Sequence, residues 1–112
     1  MSPITTHVLD TAKGKPAHGV PVVLELKTGP GWKELGRGTT DGDGRLKNLL
    51  PEGTALSNGT YRLIFDTGAY HKGAGTQTFY PEVAVCFEVR DSKHHHVPLL
   101  LSPFGYSTYR GS

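Results

Sequence analysis

Apolar and polar residues alternate one by one in several short segments, and this period of two constrains the fold more than any other feature. In segment 20–27, Val20, Val22, Leu24 and Leu26 fall on one face, and the charged residues fall on the other. Segments 60–65, 83–90 and 96–101 repeat the pattern. Successive side chains of a β-strand point to opposite faces of a sheet, so each segment is predicted to be a strand with one buried face.

Turn-forming residues separate these segments. The chain has 15 glycines and 8 prolines, and they cluster in segments 13–16, 28–31, 41–44, 57–59 and 102–105. A further strand is expected around 32–39, and segment 66–73 is the single helix candidate, with Asp66 or Thr67 as its cap. Strands at this spacing predict an antiparallel β-sandwich in one domain covering residues 1–112.

The bulk properties argue against several classes of protein. The formal net charge is +2 and the charges are interspersed, which does not indicate a nucleic-acid-binding surface. No apolar run approaches the roughly 20 residues that span a bilayer, and residues 1–7 do not resemble a secretory signal, so a cytoplasmic protein is expected. Cys86 lies in an apolar run and is predicted to be buried and unreactive.

Six histidines are the first candidates for chemistry. Strand alternation places His94 and His96 on the face opposite the core, with His95 on the core side. Two imidazoles on one face can bind zinc, perform acid–base chemistry, or simply be solvated, and spacing alone leaves these readings open. His18 and His71 are predicted to be surface residues because they lie in turn-like or helix-edge positions.

Arg45 and the last seven residues are weaker candidates for a functional site. Arg45 follows an Asp-Gly-Asp-Gly turn that resembles the start of a calcium loop but lacks the distal Glu. An arginine there becomes a candidate for substrate binding only if it lies close to the histidines, because its guanidinium can hydrogen-bond to a planar carbonyl compound. Segment 106–112 holds two tyrosines, an arginine and three hydroxyl residues, and its composition predicts an edge strand with a solvated tip.

Several segments together resemble the transthyretin-related 5-hydroxyisourate hydrolases. They are THVLDT at 6–11, GKPAHGV at 14–20, TDGDGR at 40–45, FYPEV at 79–83, HVPLLLSP at 96–103 and GYSTYRGS at 105–112. The resemblance covers essentially the whole chain. Its most specific element is the final Tyr-Arg-Gly-Ser, which separates these hydrolases from the hormone-carrying transthyretins. His95 is a departure, since the family often has an aromatic residue there.

The resemblance implies a fold, an assembly and a site. The fold is an all-β, transthyretin-like sandwich of eight strands in two antiparallel sheets with one short helix. The assembly is a homotetramer, a dimer of dimers, with active sites where the dimers meet. The implied catalytic residues are His7, His96, Arg45 and Ser112, and the implied substrate-binding residues are His7, Arg45, Tyr109, Arg110 and Gly111. No cofactor or metal is implied.

The implied reaction is hydrolysis of 5-hydroxyisourate to 2-oxo-4-hydroxy-4-carboxy-5-ureidoimidazoline, by water attack on a ring carbonyl. A histidine near its ordinary pKa is an efficient general base for such a step. We expect the pair His7 and His96 to activate water and Arg45 to stabilise the developing oxyanion. Three alternatives stay open: a transthyretin-like carrier of small ligands, an adhesive β-sandwich with decorative surface histidines, and a zinc-dependent hydrolase.

Overall fold

The computed structural model describes residues 2–112, which form nine strands and one helix. The elements are β1 Ile4–Asp10, β2 Lys15–Pro16, β3 Pro21–Thr28, β4 Gly31–Thr39, β5 Arg45–Leu46, β6 Gly59–Phe65, α1 Thr67–Gly73, β7 Val83–Val89, β8 His95–Ser102 and β9 Gly105–Thr108. Every segment with a period of two is a strand, and the hairpin turns lie where glycine and proline predict them. The strand count exceeds the expected eight because β2 folds back onto the end of β1.

Two sheets make up the sandwich, as predicted. One has the order β2-β1-β8-β9, with β5 also pairing to β1, and the other has the order β4-β3-β6-β7. All strand pairs are antiparallel except β1 and β8, which run parallel with Ile4 opposite His95 and Asp10 opposite Leu101. This parallel pair brings the two ends of the chain together, because β1 and β8 are separated by most of the sequence.

The core lies between the sheets and consists of the residues that the alternation assigns to one face. Val22 and Leu24 on β3, Leu63 on β6, and Leu99 and Leu101 on β8 are almost fully buried. Burying a side chain of this size stabilises the fold by about 1.5–3 kcal/mol. The outward faces of β1 and β8 are therefore free to carry polar groups.

The helix is formed where the sequence predicts it, but one expectation about it was wrong. Asp66 caps α1 by accepting a hydrogen bond from the amide of Ala69, and the helix ends at Gly73. His71 is buried rather than on the surface, because it lies on the face of α1 turned toward the sandwich. Its ring meets the edge of Tyr70, whose hydroxyl donates to the Asp10 carboxylate.

Cys86 is exposed, so the prediction of a buried thiol was also wrong. It lies on β7, an edge strand of its sheet, between the inward-facing Val85 and Phe87. The apolar character of the run suggested burial, but alternation sends the side chains of Ala84 and Cys86 outward. Within residues 2–112, no helix is long and apolar enough to cross a membrane.

Candidate active site

The outer face of β1 and its two neighbours carries the site. In the parallel ladder Thr5 lies opposite His96, and in the antiparallel ladder His7 lies opposite Arg45. Paired residues project to the same face of a sheet, and residues two apart on one strand share that face. The register therefore places His7, Arg45 and His96 side by side, although they are far apart in the sequence.

The turn before β5 fixes the position of Arg45. The Asp41 carboxylate accepts hydrogen bonds from the amides of Asp43 and Arg45, at 2.9 and 3.0 Å. The hydrogen bond from the Arg45 amide is the main reason why the pKa of Asp41 is lowered. Gly44 has φ +75°, and a Cβ there would lie 2.4 Å from the Val8 carbonyl oxygen, so only glycine lets this turn close against β1.

A cavity of about 210 Å³ opens at this face. Three residues that the resemblance implies for catalysis, Arg45, His96 and Ser112, meet there. His7 lies beside Arg45 but does not line the cavity wall. The full lining is Thr5, Thr6, Arg45, Lys47, His94, His96 and Ser112.

The tail of the chain contacts β8 through Gly111, although Ser112 itself is exposed. The amide of Gly111 donates to the His96 carbonyl at 2.8 Å, forming a bridge that puts Ser112 at the cavity. A Cβ at Gly111 would lie 2.5 Å from Cδ2 of the His96 ring, so the close approach requires glycine. The predicted edge strand is confirmed as β9, and the tip is solvated as expected at Tyr109, Arg110 and Ser112, whereas Gly111 is half-buried.

Tyr109 and Arg110 do not line the first cavity. They border a second, more apolar one of about 240 Å³, together with Val85 and Phe87 of β7. The two cavities share only His96 among their lining residues. In a single chain, Tyr109 and Arg110, which the resemblance implies for substrate binding, therefore line a different cavity from Arg45 and Ser112.

The three consecutive histidines divide between the faces as predicted. His95 is buried beneath the sheet and packs against Phe87, whereas His94 is exposed and His96 is half-buried on the outer face. The rings of His94 and His96 lie 6.2 Å apart, inclined by 25°. Between them lies the Thr5 hydroxyl, 2.7 Å from Nδ1 of His96 and 2.9 Å from Nε2 of His94.

Burial lowers the pKa of His96, and the nearby positive charges of His94, His7 and Arg45 lower it further. A histidine with a lowered pKa is neutral near pH 7 and can accept a proton. Nε2 of His7 donates to the Asp43 carbonyl at 2.9 Å, because a carbonyl can only accept. When His7 is neutral, its lone pair is therefore on Nδ1.

Sequence reasoning did not single out Thr5, Thr6 or Lys47. The period of two could have found two of them, since Thr5 precedes His7 by two residues and Lys47 follows Arg45 by two. Within residues 2–112, no group of three or more His, Cys, Asp or Glu side chains is arranged to hold a metal ion.

The profile of the HIUase/Transthyretin family matches residues 4–111. The chain belongs to the HIUase/Transthyretin family. It is 53% identical over 110 residues to a 5-hydroxyisourate hydrolase of Salmonella typhimurium, covering 97% of this chain and 80% of the relative.

Two solved structures share the fold over nearly their full length. The 5-hydroxyisourate hydrolase of Klebsiella pneumoniae superposes with a TM-score of 0.86 at 35% identity, covering 97% of this chain and 98% of the other. Sea bream transthyretin, in complex with thyroxine, gives a TM-score of 0.91 at 35% identity, covering 98% and 95%. Because one is named as a hydrolase and the other was solved in complex with thyroxine, the fold alone does not decide the function.

Proposed function

We propose that this chain hydrolyses 5-hydroxyisourate, a step of urate degradation, as one domain of residues 1–112. The observation that carries the proposal is the convergence of His96, Arg45 and Ser112 on one cavity, with His7 beside Arg45. The relatives at about half identity are named as hydrolases of this substrate. A direct test is the decay of freshly generated 5-hydroxyisourate with and without the purified chain.

In the proposed mechanism, the neutral imidazole of His96 removes a proton from water as the water attacks a ring carbonyl of the substrate. The oxygen of that carbonyl becomes an oxyanion, which the Arg45 guanidinium stabilises through charge and hydrogen bonding. His7 and the Ser112 hydroxyl orient the water and the substrate. The carbon–nitrogen bond then breaks, the ring nitrogen takes up a proton from the histidine pair, and the product is 2-oxo-4-hydroxy-4-carboxy-5-ureidoimidazoline.

A second candidate is a transthyretin-like carrier without catalysis. The chain shares its sandwich with sea bream transthyretin, which was solved in complex with thyroxine, and the second cavity beside Val85, Phe87 and Tyr109 is apolar enough for such a ligand. The lining of the first cavity favours the hydrolase, because Arg45, Lys47 and two histidines suit a polar, carbonyl-rich ligand better than an apolar one. Saturable binding of the substrate with no acceleration of its decay would select the carrier.

The proposal includes a homotetramer made of two dimers. Strands β7 and β9 each pair on one side only within residues 2–112, which leaves backbone donors and acceptors free on both edges. Phe104, Tyr106 and Tyr109 are large and exposed near the β9 edge. Sedimentation should give a species of four times the 12.1 kDa chain mass, and a monomer would contradict this part. The cytoplasmic location remains a prediction from sequence.

We expect an acid limb in the pH profile of kcat/KM. Burial and neighbouring positive charges lower the pKa of His96, so the base is lost by protonation only below its ordinary value of 6.5. Activity should therefore be constant from pH 7 to 8 and fall as the pH drops below about 6.5. Initial rates in constant-ionic-strength buffers measure the limb, with circular dichroism confirming the fold at each pH. A midpoint above 7 would contradict the assignment.

A further inference from the structure

We propose that Thr5 and His94 are positioning residues that determine which ring nitrogen of His96 carries a proton. The catalytic consequence rests on the proposed hydrolase function, but the tautomer itself is a property of the folded chain. Neither residue belongs to the set that the family resemblance implies. The parallel pairing of β1 with β8 places Thr5 opposite His96, and His94 is the residue immediately before β8.

The Thr5 hydroxyl is the centre of the arrangement. It has one hydrogen to donate, and it lies within hydrogen-bond distance of Nδ1 of His96 and Nε2 of His94. Thr5 therefore donates to one imidazole and accepts from the other. If it accepted from both, its own hydrogen would be buried without an acceptor, because Oγ1 makes no other hydrogen bond within residues 2–112. Thr5 is only 2% exposed, so water has little access to its hydroxyl and the two rings are its natural partners.

Two proton arrangements satisfy this geometry. In the first, Nδ1–H of His96 donates to Thr5, Thr5 donates to Nε2 of His94, and Nε2 of His96 keeps a lone pair that can accept a proton from water. In the second, Nε2–H of His94 donates to Thr5, Thr5 donates to Nδ1 of His96, and Nε2 of His96 carries a hydrogen. To pass from one arrangement to the other, each neutral imidazole loses the proton on one ring nitrogen and gains one from solvent on the other, and the Thr5 hydroxyl rotates; no heavy-atom bond changes.

The first arrangement is the one that a general base at His96 requires, and it exists only while His94 is neutral. Protonated His94 must donate through Nε2, which forces the second arrangement and leaves His96 without a free lone pair. The other cationic or titratable groups near His96 are His7 on β1 and Arg45 on β5, and Lys47 lines the same cavity.

Substitutions at Thr5 provide a matched pair. Thr5→Ser keeps the hydroxyl, whereas Thr5→Val keeps the shape and removes it. Nitrogen-15 NMR of the imidazoles at pH 8.5 distinguishes a protonated ring nitrogen from an unprotonated one. We expect His96 to carry its proton on Nδ1 in the wild type and in Thr5→Ser, and to shift toward Nε2–H in Thr5→Val. A wild-type His96 with its proton on Nε2, or no change in Thr5→Val, overturns the proposal.

Substitutions at the exposed His94 test the outer partner without disturbing the core. Glutamine places an amide oxygen near the position of Nε2, where it can still accept from Thr5, whereas leucine cannot. His94→Gln should keep the Nδ1–H tautomer of His96, and His94→Leu should lose it. Identical His96 spectra in the two variants would overturn the role of His94. This pair also keeps the proposal testable if Thr5→Val does not fold.

Kinetics separate positioning from a general structural effect. We expect Thr5→Val and His94→Leu to lower kcat about tenfold or more with KM changed less than about threefold, and Thr5→Ser and His94→Gln to stay within about threefold of wild type. Equal losses in both members of a pair would overturn the inference. If the wild type does not accelerate the decay of 5-hydroxyisourate, the proposed function fails, while the NMR result still decides the tautomer.

Discussion

Replacing His96 with alanine is expected to lower kcat/KM for 5-hydroxyisourate by about 10²–10⁴-fold, the range that a general base contributes. The half-buried imidazole lines the cavity beside Arg45 and Ser112, and it is the histidine whose pKa is lowered. The side chain points away from the core, so the fold should survive. Steady-state rates from the absorbance of the substrate measure the effect.

The control for this experiment is His18→Ala, because His18 is exposed and lies outside the site. His7→Ala extends the test to the neighbouring strand, where Nε2 of His7 is held by the Asp43 carbonyl. We expect a large loss in His7→Ala as well, since the second histidine orients water or supplies a proton. Turnover at the wild-type rate in both His7→Ala and His96→Ala would contradict the mechanism.

Replacing Gly111 with alanine is expected to lower kcat/KM about 10²-fold with little loss of stability. The new methyl group would lie 2.5 Å from Cδ2 of His96, so the ring or the tail must move. A displacement of about 1 Å at a catalytic group costs activity on that order. The substitution also moves Ser112, because the Gly111 amide holds the tail on the His96 carbonyl.

The matched control is Gly73→Ala at the end of α1, where a Cβ would meet no atom within 4 Å. Kinetic constants are measured for both variants, together with thermal unfolding. Wild-type constants in Gly111→Ala would show that the close approach of the tail to His96 has no role. Removing residues 109–112 should abolish activity altogether, because it removes Ser112 from the cavity.

Most of the fold could be predicted because its signals are local. Alternation of side chains identifies β3, β6, β7 and β8, and an aspartate before a short run identifies the start of α1. The errors at Cys86 and His71 have different causes. The apolar composition of its segment suggested that Cys86 is buried, and the position of His71 near a helix edge suggested exposure, although the face of α1 that carries it packs on the sandwich. Cys86 alternates with Val85 and Phe87, and therefore points outward from an edge strand.

The site could be predicted only in part, because its geometry depends on a non-local pairing. The sequence places His94 and His96 on one face, but it contains no local signal that β1 pairs in parallel with β8. That pairing places Thr5 beside His96. Without knowledge of the pairing, the position of the Thr5 hydroxyl between the two imidazoles could not be predicted. Likewise, the sequence has no local signal that Gly111 packs against the His96 ring, so the need for glycine at this position could not be predicted.

The most direct test of the central claim is a coupled assay in which urate oxidase generates 5-hydroxyisourate and the purified chain is then added. The account predicts that the absorbance of the intermediate disappears much faster than by spontaneous hydrolysis, and that His96→Ala returns the rate nearly to the spontaneous one. Decay at the spontaneous rate in the presence of folded wild-type chain would contradict the assignment of this site as a hydrolase.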